Sequence, residues 1–531
     1  MGLQNREYVR ASSKKKYEAI DVQKKLLAKN TIASLLAQMT VLVCGFILPR
    51  FFLQSFGSEV NGMVNSIAQF LGVISFLELG VGAVVESALY KPLAEKNNEE
   101  ISKVMASANK FFQRLAQILA VYVIVLIFIY PFIANQGFGF LYTATLILAI
   151  SISSFAQYYF GITNALLLNA DQHGYIQYNA QTITVILNTV MCVVLISVGG
   201  SVQLVKLVSS LIFLIRPIAL RLYVDKKYKI NWHIHYDDEP IKQKWNGVAQ
   251  HIAAVVLDGT DTIVLTILST LSNVSIYSVY SLVVRGVKTL FLSMTNGIQA
   301  LIGELWAKQE LKRLNDFFAL VEWVIHTGTT FVFSCTAALI VPFVQVYTLG
   351  ITDANYIQPI FAVLLTMANA MHCLRLPYNI MVLAAGHYRQ TQKNYIVAAV
   401  LNIVVSVLTV KAWGLIGVAI GTLAAMAYQT VWLAVYDSKH FIFWPIKNVA
   451  KQFAVDVLSA VLILALGSFI GMNETSYIGW FFMAVKVTVC AFLIMALINL
   501  LLYRNMICQM VRKLRKHEFN DEIIKEKNLQ Q

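Results

Sequence analysis

The chain has 531 residues, 58% of them hydrophobic and only 13% charged, with a formal net charge of +14 at neutral pH. A soluble domain with this balance would expose large apolar patches and aggregate, so a water-soluble enzyme or scaffold is excluded. The basic residues sit beside apolar stretches, where they set orientation and meet anionic lipid; the expected partners are membrane lipids, with no nucleic acid among them.

Residues 1–29 hold eight Lys or Arg and no apolar core, which marks a basic cytosolic tail rather than a cleavable signal peptide. From residue 30 onward, a filter of about 20 helical residues, the length that crosses about 30 Å of hydrocarbon, finds fourteen spans. The first six lie near 30–53, 61–88, 105–134, 140–168, 176–198 and 204–220, so residues 30–220 form an expected first lobe, followed by a cytosolic linker at 221–244. Six more lie near 245–268, 276–305, 317–348, 357–385, 394–410 and 414–436, which makes 245–436 a second lobe. Two further spans, 452–470 and 478–503, fill 437–503, and 504–531 is another basic cytosolic tail. The expected fold class is therefore an all-α polytopic membrane protein with 14 transmembrane helices, two six-helix lobes in parallel pseudo-repeat plus two C-terminal helices.

The basic residues support this count. Of the 42 Lys and Arg, 32 fall in one alternating set of connectors and tails, only Lys411 falls in the other, and nine lie inside spans. Cytosolic loops retain basic residues while short translocated loops are depleted of them, so both termini are placed in the cytosol. Adding or removing one helix would scatter the basic loops over both sides.

A repeat runs through the two lobes. Val185-Ile186-Leu187-Asn188 reappears as Ala399-Val400-Leu401-Asn402, an offset of 214. Asn164-Ala165-Leu166-Leu167-Leu168 with Ala170-Asp171-Gln172-His173 reappears as Asn379-Ile380-Met381-Val382-Leu383 with Ala385-Gly386-His387-Tyr388, an offset of 215; Asn30 and Asn246 differ by 216. Six helices per unit is an even number, so the halves share one orientation and are related by an axis along the membrane normal, as alternating-access transporters are.

Fourteen helices in a six, six and two pattern resemble the multidrug/oligosaccharidyl-lipid/polysaccharide exporter superfamily over residues 30–503. Gly57-Ser58-Glu59-Val60-Asn61-Gly62 leading to Phe76-Leu77-Glu78-Leu79-Gly80-Val81-Gly82 is similar to stretches of its polysaccharide-transporter branch, the Wzx-like flippases. So is Thr260-Asp261-Thr262-Ile263-Val264-Leu265 followed by Val274-Ser275-Ile276-Tyr277-Ser278-Val279-Tyr280. The resemblance implies translocation of an undecaprenyl-diphosphate-linked oligosaccharide from the inner to the outer leaflet of a bacterial cytoplasmic membrane, for surface polysaccharide biosynthesis.

The charges inside the spans suit such a cargo. A charge at the bilayer centre costs about 2.5–3.5 kcal/mol even on the lenient insertion scale, so it faces protein or a wet cavity. Most of the nine embedded cations lie near span ends and can snorkel. Arg285 and Lys288, three apart on one helix face, and Arg375 lie near mid-span, and they are the expected diphosphate-binding residues: Arg offers bidentate donors and Lys a compact positive charge. Structural pairing of these cations with the embedded acids Glu78, Asp258, Asp261 or Glu322 is the competing reading. Arg50 and Lys206, nearer the outer side, are candidate late contacts, with interfacial anchoring as their alternative. Glu78, Asp258, Asp261 and His372 are candidate ion-coupling residues for H+ or Na+, because a desolvated carboxylate or imidazole can carry a proton or meet a cation; His326 and His372 also read as hydrogen-bonded core histidines.

Three classes of function remain. The lipid-linked oligosaccharide flippase leads; the alternative is a cation-coupled drug or small-molecule exporter of MATE type, which a mainly acidic cavity would favour. A membrane enzyme would need a substantial catalytic loop, and the outside connectors are about ten residues or fewer. The sequence holds no phosphate-cradling glycine loop, nucleophile elbow or zinc constellation, so no enzyme activity, cofactor or metal is expected. The six cysteines lie in or beside apolar stretches as packing residues.

Overall fold

Apolar runs in hydrocarbon must satisfy every backbone N–H and C=O within the protein, which leaves helices as the economical solution for segments of this length. The computed structural model describes residues 2–78, 80–134, 137–241, 248–442, 445–504 and 506, and the side chains of these except 2–24, 248–254, 258, 294 and 296. Among the described residues the regular elements are all helical.

The chain forms two compact units, Met1–Ile276 and Tyr277–Gln531. The first contains α1 (Gly2–Gly72), a 3-10 turn (Val73–Glu78), α2 (Val81–Glu95), α3 (Asn98–Ala134), α4 (Phe140–Ala156), a π-helical turn (Gln157–Gly161), α5 (Ile162–Ala170), α6 (Tyr175–Ser197), α7 (Val202–Phe213), α8 (Ile215–Lys227) and α9 (Val248–Leu268). The second contains most of α10 (Leu271–Ala307), then α11 (Leu311–Tyr347), α12 (Pro359–Leu374), α13 (Leu376–Ala384), α14 (Tyr388–Trp413), α15 (Leu415–His440), α16 (Ile446–Gly467) and α17 (Tyr477–Leu502). The division falls beyond the linker at 221–244 because α9 packs on α1. Thr266 Oγ1 donates to Ser66 Oγ (2.8 Å), and Asn61 Nδ2 donates to Ser275 Oγ (2.7 Å) at the start of α10.

Among the described residues, eleven helical segments are long and apolar enough to cross a bilayer, so the chain is a multi-pass membrane protein. The longest, Lys25–Glu78, covers the first expected span and much of the second; the two meet at Gly57, whose φ of 80° lies in the region glycine tolerates. Four expected spans are not single straight helices; the sixth is interrupted at Leu214, between α7 and α8. The second is broken by the 3-10 turn before α2, the fourth by the π turn between α4 and α5, and the tenth between α12 and α13, where Pro377 has no N–H to continue the ladder. One helix runs further than hydropathy placed it: α15 extends to His440, beyond the expected end at 436.

The breaks also sharpen the repeat. Both α5 and α13 have nine residues, and their starts differ by 214. Each ends in the same cap: Gln172 (φ 58°) and Gly386 (φ 74°) turn left-handed, and the next residue's N–H reaches five back, His173 to Leu168 O (2.7 Å) and His387 to Val382 O (3.1 Å). The register in this stretch is thus 214, one less than the sequence match gave. Asn188 and Asn402, also 214 apart, are both buried.

Apolar side chains such as Phe132, Phe469 and Leu501 are widely exposed, as a lipid-facing surface requires. Because lipid is as apolar as leucine, close packing and interhelical hydrogen bonds hold the helices together. In the second unit, Cys335, Leu339, Ile463, Met483, Val487 and Met495 join α11, α16 and α17, and Trp323 Nε1 donates to Asn499 Oδ1 (2.7 Å).

Candidate functional site

The break between α12 and α13 positions the most buried of the predicted cations. Arg375 is at the junction, closing α12 through its N–H to Met371 O (3.1 Å) while its own carbonyl accepts from Asn379 N–H (3.0 Å). Its side chain is only 7% exposed, and its Nη2 donates to His372 Nδ1 at 3.3 Å. A guanidinium has no acceptor, so this contact requires the His372 Nδ1 lone pair and therefore a neutral ring. Lys288, half-buried on α10, lies near enough to act electrostatically on both His372 and Cys373. Lys288, His372 and Arg375 are therefore brought together in the second unit. Arg285, one turn earlier on α10, is more exposed than Lys288.

The remaining candidates occupy the first unit. Lys206 lies over the Phe52 ring, 4.6 Å from its centroid, two residues beyond half-buried Arg50. This geometry fits the anchoring alternative stated for Lys206. Glu78 ends the 3-10 turn and accepts a hydrogen bond from Tyr158 in the π turn. Asp261 is buried on α9. The side chain of Asp258 lies outside the described residues.

The competing reading pairs the cations with embedded acids, Glu322 among them. Glu322 is buried and accepts from the Tyr378 hydroxyl at 2.6 Å. Two further acids escaped the sequence reading. Asp456, on α16, is buried, and His326 Nδ1 lies 2.6 Å from its Oδ2. Asp437 is fully buried in the last turns of α15, and neither of its carboxylate oxygens has a hydrogen-bond partner among the described residues. A lone carboxylate inside the span at 452–470 was a legible signal for Asp456. Asp437 was assigned to a connector because hydropathy falls at residue 437, one turn before the helix ends.

The second unit thus combines a cationic group beside a helix break with a buried acidic group. Tyr395, which donates to Asn379, is close enough to feel both Arg375 and Asp437. Among the described residues no cluster of three or more His, Cys, Asp or Glu has the geometry to hold a metal ion.

No protein-family model matches the chain, and no curated protein is matched by it. Among solved structures, the lipid II flippase MurJ in an inward closed conformation is similar over 90% of this chain and 99% of its own, with a TM-score of 0.68 and 14% identity. An inward-facing multidrug resistance MATE family transporter of the MOP superfamily is similar over 77% of this chain and 98% of its own (TM-score 0.51, 14% identity). A eukaryotic MATE transporter is similar over 82% and 98% (TM-score 0.51, 11% identity). At these identities the likeness establishes fold: this chain has the transporter fold common to the lipid II flippase and the MATE proteins.

Proposed function

We propose that this protein is a flippase that moves an undecaprenyl-diphosphate-linked oligosaccharide from the inner to the outer leaflet of a bacterial cytoplasmic membrane, by alternating access, for surface polysaccharide biosynthesis. The observation that carries the reading is the buried Arg375 at a helix break, with His372 hydrogen-bonded to it and Lys288 close by. A diphosphate supplies the paired anionic oxygens that a guanidinium and an ammonium bind best. The greater coverage of this chain by the lipid II flippase than by the MATE transporters supports it further. In this reading fourteen helices cross the membrane with both termini cytosolic, Arg285 extends the cationic face, and Arg50 and Lys206 are at most late contacts. Glu78, Asp258, Asp261 and His372 remain candidates for coupling to a monovalent cation.

The test is Arg375→Ala in cells that export a surface glycan. The expected result is loss of export at normal membrane abundance, and normal export would overturn the assignment. The second reading, a cation-coupled exporter of drugs or other small molecules, is favoured by the buried acids Glu322, Asp437 and Asp456, whose field suits a cationic cargo. Altered drug sensitivity with unaltered glycan export would select it.

A further inference from the structure

Four buried side chains from three helices form one continuous chain of polar contacts in the second unit. Asp456 Oδ2 lies 2.6 Å from His326 Nδ1, His326 Nε2 lies 3.5 Å from the Tyr378 hydroxyl, and that hydroxyl donates to Glu322 Oε1 at 2.6 Å. Glu322, His326 and Thr330 follow one another at intervals of four on a single face of α11. Thr330 Oγ1 (2.9 Å) and Gln452 Nε2 (3.2 Å) both donate to Asp456 Oδ1, so each oxygen of that carboxylate is already engaged. All four members of the chain are at most 5% exposed.

We propose that this chain is a proton-binding site, and that the proton it takes is the ion coupled to transport. The inference rests on the transporter reading above and names its ion. A proton arriving on Glu322 passes to the Tyr378 oxygen as Tyr378 gives its own hydroxyl proton to His326 Nε2. Tyrosine is neutral before and after, Glu322 returns to a carboxylate, and an imidazolium is left against the Asp456 carboxylate. Histidine suits this role because its two ring nitrogens let Nε2 take a proton from the Tyr378 side while Nδ1 stays on Asp456.

The donor set argues against sodium. Asp456 presents its oxygens to an imidazole, a hydroxyl and an amide N–H rather than to a shared central point, and a hard cation needs several oxygens converging on it. Other groups bear on the site from each packed element. Asp437 of α15 acts on Tyr378. Lys451 of α16 stacks over the Tyr503 ring, 4.8 Å from its centroid, just past the end of α17. Burial, together with the Asp456 and Glu322 carboxylates, pushes the Tyr503 hydroxyl up to about 12. Asn499 of α17 accepts from Trp323, next to Glu322.

The link to the cationic site is α13. Arg375 caps its start and Tyr378 lies one turn further on, so a charge change at His326 and Glu322 acts on the same short helix that positions the guanidinium. The contribution of α16 gives a helix outside the six-plus-six repeat a defined task.

The experiment uses purified full-length protein in two arms. In proteoliposomes, transbilayer movement of a fluorescent polyprenyl-diphosphate-linked disaccharide is followed under an imposed gradient of about two pH units, which for one proton per lipid supports roughly a 100-fold ratio between leaflets. Wild type should accumulate lipid in the direction set by the gradient, and Asp456→Asn and His326→Gln should equilibrate it without accumulation. In the second arm, infrared difference spectra of the protein between about pH 5 and 8 should contain a histidine and carboxyl signal that the same variants remove. Lipid movement that ignores the pH gradient, or follows sodium, overturns the proposal even if neither variant can be purified. A titrating signal lost in the variants, with no lipid moved under any condition, upholds the proton site and counts instead against the flippase reading.

Discussion

Gly62, at the end of the motif Gly57-Ser58-Glu59-Val60-Asn61-Gly62, is predicted to be intolerant of even one methyl group. A Cβ built there would lie 1.8 Å from Leu271 O and 2.6 Å from Leu271 C, where real Cβ contacts are essentially never under 3.0 Å. The obstruction is backbone, so Gly62→Ala must drive α1 and the start of α10 apart by about 1.2 Å. That displacement would stretch the neighbouring Asn61–Ser275 hydrogen bond, now 2.7 Å, beyond hydrogen-bonding range. Forced repacking costs about 1–3 kcal/mol and loss of the buried hydrogen bond about 0.5–1.5 kcal/mol more, so the expected loss is about 1.5–4.5 kcal/mol. The assay is thermal unfolding in detergent, followed by reaction of a thiol dye with Cys192, which is 1% exposed in the same unit. For a unit of this size the midpoint should fall by roughly 5–15 °C. Gly82→Ala is the control, since its nearest neighbour is a flexible Leu166 Cδ2 at 3.4 Å. An unchanged midpoint for Gly62→Ala would refute the reasoning.

Arg375→Lys keeps the charge but loses the planar fork, so cargo binding should weaken by about 1.5–3 kcal/mol, roughly ten- to a hundred-fold, read as the lipid concentration that half-saturates transport. Lys206→Met should lower thermal stability by about 0.5–2 kcal/mol through loss of the contact with Phe52 and leave glycan export near normal; abolished export would make it a substrate contact. His387 lies between α13 and α14, where burial and the neighbouring His440 hold its pKa below the ordinary value. The unfolded chain therefore takes up this proton first as pH falls through about 6.5, so stability is full above that pH and declines below it. Hydrogen exchange around residues 384–390 and 436–442 should accelerate on acidification in wild type and much less in His387→Gln.

Hydropathy was enough to read an all-helical, multi-pass membrane chain and the order of its apolar helices, because crossing a membrane constrains length and composition strongly. The interruptions were harder to read. Pro377 advertised the break beside Arg375, but the π turn at Gln157–Gly161 has no residue that forces it. The site was partly legible: the depth of Arg375 and its spacing from His372 were visible in the chain. That Lys288 of α10 comes near them, or that Tyr378 bridges Glu322 and His326, depends on which helix faces are packed together, and hydropathy along one strand of sequence carries no such information. Asp437 was lost for a simpler reason, since a buried charge at a helix end resembles the first residue of a loop.

The most direct test of the flippase reading is to delete the gene and assay undecaprenyl-diphosphate-linked oligosaccharide by leaflet. The account predicts accumulation of the lipid on the cytosolic side, reversed by the wild-type gene and not by Arg375→Ala. An unchanged lipid pool together with a changed sensitivity to cationic drugs would contradict it.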